Sequence, residues 1–246
     1  MYRRVLLRGT VFLGVLIAIA CASSTPTATY SPVFDYTPPA GTAPASRSLT
    51  FALVGAQYRS PVQFFQRFGA KMASDLQEIL AARGYTVRGP FRTYDEMTFP
   101  DKKGSDLVLQ PELEITADLA GIRQKVTGGA VALALLGEAT SAYDGTVTIG
   151  GRVNLVVLEP LTRERMWAKS VEISRVTVEL NGEALYKAPP SLDELLANEP
   201  SFAAEFGRAL EQVYRSVMDK AFTYLDPEEM ELVNKQAEEI RKKKVY

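Results

Sequence analysis

The sequence predicts an α+β domain: a mixed, mostly antiparallel sheet of about five strands, with helices packed on one face and an extra charged helix at the C-terminus. Three observations predict it. Two long segments keep a period of two and a third keeps it with one change of phase, the pattern of strands with one buried and one wet face. Two segments repeat apolar residues at spacings of three and four, the mark of amphipathic helices. A short apolar run, a helical pattern and a second short run open the domain as β-α-β.

Taken in order, residues 49–56 (LTFALVGA) read as a short strand. Ser60, Pro61 and Gln63 give an N-cap, a proline at the first helical position and a capping-box glutamine. Phe64, Phe68, Met72, Leu76 and Leu80 follow at spacing four, and Gly84 stops the helix. Residues 85–88 form the second strand. Leu109, Leu113, Ile115, Ala117 and Leu119 then alternate with Gln110, Glu112, Glu114, Thr116 and Asp118. Val147, Ile149, Val153, Leu155 and Val157 repeat that alternation, with Gly150 and Gly151 marking a bulge or a close backbone approach. In residues 165–180 the apolar positions are odd at Trp167, Val171 and Ile173 and even at Val176, Val178 and Leu180, so a bulge belongs near Ser174–Arg175. Ser191 with Glu194 is a capping box that starts a short helix. Pro200 and Ser201 open a longer one along Phe202, Phe206, Leu210, Val213 and Val217. Asp226, Pro227, Glu228 and Glu229 start a last one, which Arg241, Lys242, Lys243 and Lys244 close in the order the helix dipole favours.

Composition removes much of enzyme chemistry. The 246 residues are 46% hydrophobic and 23% charged, an ordinary globular balance. There is no histidine, which excludes His-based triads and His-ligated metals. One cysteine, Cys21, excludes zinc fingers, CxxC chemistry and an intrachain disulfide. A formal net charge of −1 gives no general attraction to nucleic acid. No phosphate-binding glycine loop or nucleophile elbow occurs. The sequence therefore predicts no catalytic residue, no metal and no cofactor beyond a covalent lipid.

That lipid is read from the first twenty residues. Arg3, Arg4 and Arg8 precede an uncharged apolar stretch too short to span a bilayer, which is the form of a secretory signal. It ends Ala18-Ile19-Ala20-Cys21, similar to a bacterial lipobox, which implies cleavage before Cys21 and acylation of it. The other reading is a plain signal peptide or signal anchor with an incidental cysteine. Ala22, rather than Asp, follows the cysteine, and by resemblance points to the outer membrane. Loss of twenty residues and three arginines leaves 226 residues with 25 basic and 29 acidic side chains. Residues 21–47, rich in Pro, Ala, Ser and Thr, read as a disordered tether averaging ~25–30 Å end to end; Tyr30, Phe34 and Tyr36 in it are a candidate docking strip. Residues 48–225 make the α+β binding domain and 226–246 the charged helix.

Two surfaces stand out. Residues 94–103 join the second strand to the third, and Tyr94, Asp95, Glu96, Asp101, Lys102 and Lys103 make this a candidate binding surface, with Phe91, Met97 and Phe99 clamping it to the core. Residues 127–137 are uncharged, apolar and bounded by glycine; Val131, Leu133, Leu135 and Leu136 either cover the sheet or form an exposed hydrophobic tip. Trp167 is a core residue or a platform for a sugar. The 241–244 run is a solvated helix end or a contact for anionic headgroups or an acidic partner.

Two stretches also carry a resemblance. Residues 83–107 (RGYTVRGPFRTYDEMTFPDKKGSDL), and residues 151–161 (GRVNLVVLEPL) with 164–169 (ERMWAK), resemble the neuraminyllactose-binding haemagglutinin lipoproteins, the adhesin-A family of flagellated, helical bacteria. The resemblance covers roughly residues 48–225. It implies a surface or flagellar-sheath lipoprotein that binds sialylated glycans. The chain has no Lys-Arg-Thr run, and no sugar-contacting residue is carried over. The expected function is a non-enzymatic, adhesin-like protein held to the outer membrane by its acyl chains, with a sialylated glycan or a protein as partner. The alternatives are a periplasm-facing scaffold or assembly lipoprotein that binds a protein complex or the cell wall, and an oligomeric pore-type lipoprotein.

Overall fold

The structure, a computed structural model, describes residues 30–39, 49–58, 62–125 and 140–244. Cys21 and the apolar residues Val131, Leu133, Leu135 and Leu136 lie outside them. The elements run β1 (Thr50–Val54), α1 (Gln63–Ala82), β2 (Thr86–Phe91), a 3₁₀ turn (Tyr94–Glu96), α2 (Phe99–Lys103), β3 (Leu107–Gln124), β4 (Tyr143–Leu158), β5 (Arg165–Asn181), α3 (Leu192–Asn198), α4 (Pro200–Tyr224) and α5 (Pro227–Lys244). One five-stranded sheet has the order β2-β1-β3-β4-β5. β1 pairs in parallel with both β2 and β3, and the β3–β4–β5 ribbon is antiparallel. The predicted α+β architecture, with a mixed open sheet, is the one observed.

Burial follows the sequence pattern closely. β1 is apolar at every inner position because both of its faces are covered: Phe51 and Leu53 face the helices, while Ala52 and Val54 face the crossover between β2 and β3. β3 is likewise buried on both faces at Leu107, Val108 and Leu109, then alternates. Pro111 sits where that change occurs. Its carbonyl accepts from Gln57 N at 3.0 Å, and it has no N–H to offer a neighbouring strand. Beyond the Gln57–Glu112 bridge, β3 has a free edge among the described residues. The phase change in β5 is an observed register shift: Ile149 pairs with Val176 and Gly151 with Ile173, leaving Ser174 and Arg175 opposite Gly150. Gly151 has φ +122°, and a Cβ there would lie 1.9 Å from Glu114 O, so this is a close backbone approach that only glycine permits.

The helical layer packs on one face, where Phe65, Phe68, Met72, Phe206, Leu210 and Tyr214 form the centre of the core. Helix α1 begins at Gln63 behind Val62, with no side-chain cap, and Ser60 and Pro61 are outside the described residues. The other two caps are as read: Ser191 and Glu194 form a reciprocal box, and Asp226 Oδ1 accepts from the amides of Glu228 and Glu229. Helix α5 is not a separate appendage. Met230, Val233 and Ala237 are buried in the common core, and Trp167 Nε1 donates to Glu229 at 2.8 Å. Trp167 is thus half-buried beneath a helix.

Part of the expected tether is also structured. Residues 30–39 lie extended along α1 and α4 as a strap. Phe34 inserts between Phe68 and Tyr214, with ring centroids 5.4 and 5.2 Å away. Tyr30 Oη and Val33 N both donate to Glu211 Oε1 at 2.7 Å, and Gly207 leaves the space that the Tyr30 ring occupies. Low-complexity composition predicted disorder here; three aromatics that find an apolar groove outweigh it, since a buried aromatic side chain contributes about 1.5–3 kcal/mol.

Candidate binding site

The crossover carrying the predicted surface residues is built around Tyr94. Its ring is buried against Met97, Ala52 and Val108, and its hydroxyl donates to Pro160 O at 2.6 Å. Lys102 Nζ lies 4.2 Å, and the Arg163 guanidinium 4.8 Å, from the ring centroid. Burial raises the phenol's pKa, and the nearby Glu159 charge adds to it. Tyr94 is therefore the clamp that holds the loop, not an exposed contact. Phe99, expected to clamp, is 63% exposed. The reason is local: Thr98 caps α2 with Asp101 in a reciprocal box, and Phe99 sits at its first position, turned to solvent. Of the other predicted surface residues, Asp95 pairs with Arg163 at 3.7 Å and Glu96 with Arg92 at 3.6 Å. The Asp101 carboxyl is held below its usual range by hydrogen bonds from the Thr98 side chain and amide. Lys103 is exposed on the last turn of α2.

A second surface is the sheet face opposite the helices, past the end of the crossover. Here the even residues of β3 and β4 meet the outward residues of β5, whose parity changes at its two register shifts. Arg152 Nε donates to Glu114 Oε2 at 2.6 Å, Arg165 pairs with Glu112 at 3.6 Å, and Ser170 Oγ donates to Asn154 Oδ1 at 2.6 Å. The Glu114 partner raises the Arg152 pKa, fixing its charge. The bare Gly150 and Gly151 backbone floors a shallow trough of about 570 Å³, lined by Thr116 and Thr148, by Arg152 and Arg175, and by the carboxylates of Glu114, Asp118 and Glu172. A wider groove of about 1000 Å³ runs along the free edge of β3, between Tyr58 and Leu192. Tyr58 Oη donates to Ile115 O there at 3.2 Å.

The face offers fixed donors, acceptors and paired charges on a rigid lattice, which suits a polar ligand laid across it. Among the described residues no cluster of His, Cys, Asp or Glu could hold a metal ion. No helix of the described residues is long and apolar enough to cross a membrane.

Sequence reading missed a buried clasp below the crossover. Glu159 is fully buried; it accepts from Arg241 Nε at 2.6 Å and from the amides of Leu161 and Thr162. Burial by itself would raise this carboxyl, but the hydrogen bonds from Arg241 and Thr162 hold it below its usual range. Arg241 Nη2 also donates to the carbonyls of Ser105 and Asp106. The available signal was Glu159 itself, a carboxylate ending the all-apolar run LVVL.

No protein-family model matches the chain, and no curated protein is detectably similar to it in sequence. Among solved structures, the chain is similar to a neuraminyllactose-binding hemagglutinin homolog from Helicobacter pylori, with TM-score 0.57 and 15% identity over 85% of this chain and 100% of that one. At that identity the likeness is one of fold. Weaker likenesses are to lipoprotein GNA1162 from Neisseria meningitidis, with TM-score 0.27 and 14% identity over 67% of this chain and 97% of that one, and to the PelC dodecamer from Paraburkholderia phytofirmans, with TM-score 0.26 and 12% identity over 71% and 94%.

Proposed function

We propose that this chain is a lipid-anchored outer-membrane or flagellar-sheath protein that binds a polar ligand on the open face of β3–β4–β5, with no catalytic step. The observation that carries the reading is the Arg152–Glu114 pair on a bare glycine floor, with Ser170–Asn154 and Arg165–Glu112 further along the same face, on a stretch of sheet that, among the described residues, neither helix nor crossover covers. Sialylated glycans are the ligand class to test. The motif resemblance supports them, as does a fold shared with a neuraminyllactose-binding hemagglutinin homolog. Arg152 and Arg175 beside the trough suit a carboxylate, which a guanidinium meets with two parallel hydrogen bonds.

The test is a titration of the chain from Ala22 onward, which keeps the strap, with 3′-sialyllactose and with lactose, followed by NMR. The reading expects saturable shifts at Thr116, Thr148 and Arg152 with the sialylated sugar alone, abolished by R152A/R175A. Absence of any shift at millimolar sugar removes the glycan. A protein partner is the second reading, favoured by the free edge of β3 beside an apolar groove, where an extended segment can add as a strand. In that case the Ile115 and Ala117 amides donate to carbonyls of the added strand and are protected from exchange, with no response to a sugar.

A further inference from the structure

We infer that one pole of the domain is a docking surface for an anionic lipid bilayer, separate from the open sheet face. Two segments far apart in sequence meet there. Arg241 of α5 donates to the carbonyls of Ser105 and Asp106, so the last turn of α5 lies against the junction of α2 and β3. This brings the end of α5 that carries Lys242 and Lys243 to the end of α2 that carries Lys102 and Lys103, with the Arg88 guanidinium packed against Gly104 between α2 and β3.

Of the acids near this pole, Asp95 pairs with Arg163 and Glu164 with Lys244, Asp101 and Asp106 keep their charge while accepting from Thr98 and from Thr50 N, and Glu238 and Glu239 stand one turn back on α5. Among the described residues no carboxylate lies within ion-pair distance of Lys103, Lys242 or Lys243. The pole therefore presents uncommitted ammonium groups.

Phe99 decides which anion they fit. Among the described residues it is the aromatic side chain most open to water, 63% accessible, and it stands on the same short helix as Lys102 and Lys103. Lysines around an exposed benzyl group match the interface of an anionic membrane, where the ring enters the acyl boundary and the ammonium groups meet headgroups. A soluble polyanion would gain nothing from the ring.

The chain from Ala22 onward, free of acyl chains, tests the surface without the anchor. It is sedimented with vesicles of phosphatidylcholine alone and with vesicles containing about one third phosphatidylglycerol, at low and at about 0.15 M ionic strength. The expected result is binding to the anionic vesicles only, weakened by salt. Each lysine is worth about five-fold in partitioning to such a surface, so K103Q/K242Q/K243Q together should weaken binding roughly 100-fold. F99S should weaken it several-fold, and neither variant should shift the melting temperature, because all four side chains are exposed. No sedimentation, equal sedimentation with neutral vesicles, or wild-type binding by the triple variant overturns the inference. Retention on dextran sulfate without vesicle binding overturns it too, making the pole a site for soluble polyanions. Failure of the sialyllactose titration leaves this surface untouched.

Discussion

Replacing Arg241 with methionine is expected to destabilise the fold by about 3 kcal/mol at neutral pH. Arg241 makes a 2.6 Å ion pair to a fully buried Glu159 and caps two backbone carbonyls at the start of β3. Removing one partner of a buried pair costs about 3–5 kcal/mol, because the remaining charge stays buried. The lower end applies here: the Leu161 and Thr162 amides still donate to Glu159, and the Arg241 side chain is 23% exposed, so water reaches the site. For a domain of this size the loss corresponds to a fall of about 6–12 °C in Tm. Urea unfolding of wild type, R241M and R241M/E159M measures it. The double variant should recover most of the loss, since an apolar pair leaves no unpaired charge. The pH dependence has a definite sign. The folded Glu159 carboxyl lies below its unfolded value, so its contribution is full above the unfolded pKa, about 4.3, and is lost as pH falls through the folded value. The gap between wild type and R241M should therefore narrow below about pH 4. A single variant within about 0.5 kcal/mol of wild type, or a double variant no better than the single, would refute the reasoning.

Three further outcomes are expected. F34A should cost about 3 kcal/mol and release the strap, seen as fast amide exchange at Val33 and unchanged exchange in β3 and β4; protection at Val33 in the variant would contradict its role as the pin. G151A should destabilise by more than about 2 kcal/mol, through positive φ and collision with Glu114 O, whereas G150A, whose Cβ meets only Arg175 Cγ at 3.9 Å, should be near neutral; equal melting temperatures for the two would contradict this. Burial, with the charges of Asp219 and Glu199 respectively, pushes Tyr36 and Tyr186 up to about 12. Their contribution is present below the unfolded tyrosine pKa, about 10, and is lost as pH rises through the folded value, so stability should decline above about pH 10 and ultraviolet titration should show Tyr36 and Tyr186 among several late phenols, with Tyr85 and Tyr214 also raised by burial.

Periodicity made the sheet legible where one face is wet. The alternation of β3 and β4 and the phase slip at Ser174–Arg175 each correspond to an observed feature. So do the caps at Ser191 and Asp226, because a capping side chain acts within its own turn. What escaped depended on partners distant in sequence. Nothing local shows that β1 lies between β2 and β3, that Phe34 finds Tyr214, or that the first residue of a basic run turns inward to pair with the buried Glu159 while its neighbours stay in water. At the crossover, the exchange of Tyr94 for Phe99 as the clamp shows the same limit. Hydrophobicity ranks the two rings one way, but only Tyr94 can both fill the gap under Val108 and hydrogen-bond Pro160 O.

The strap also sets how the domain carries load. A pull on the chain ahead of Tyr30 meets the helical layer before it meets the sheet, and the strap's contacts lie in series along α4, from Glu211 beneath Tyr30 to Tyr214 beneath Phe34. They break one at a time, as in peeling, while the β3–β4 ladder runs residue by residue from Val108–Leu158 to Gln124–Tyr143. Freeing residues 30–39 would add up to about 35 Å of slack with the sheet still folded. A chain pulled from its N-terminal side would thus lengthen before its sheet yields.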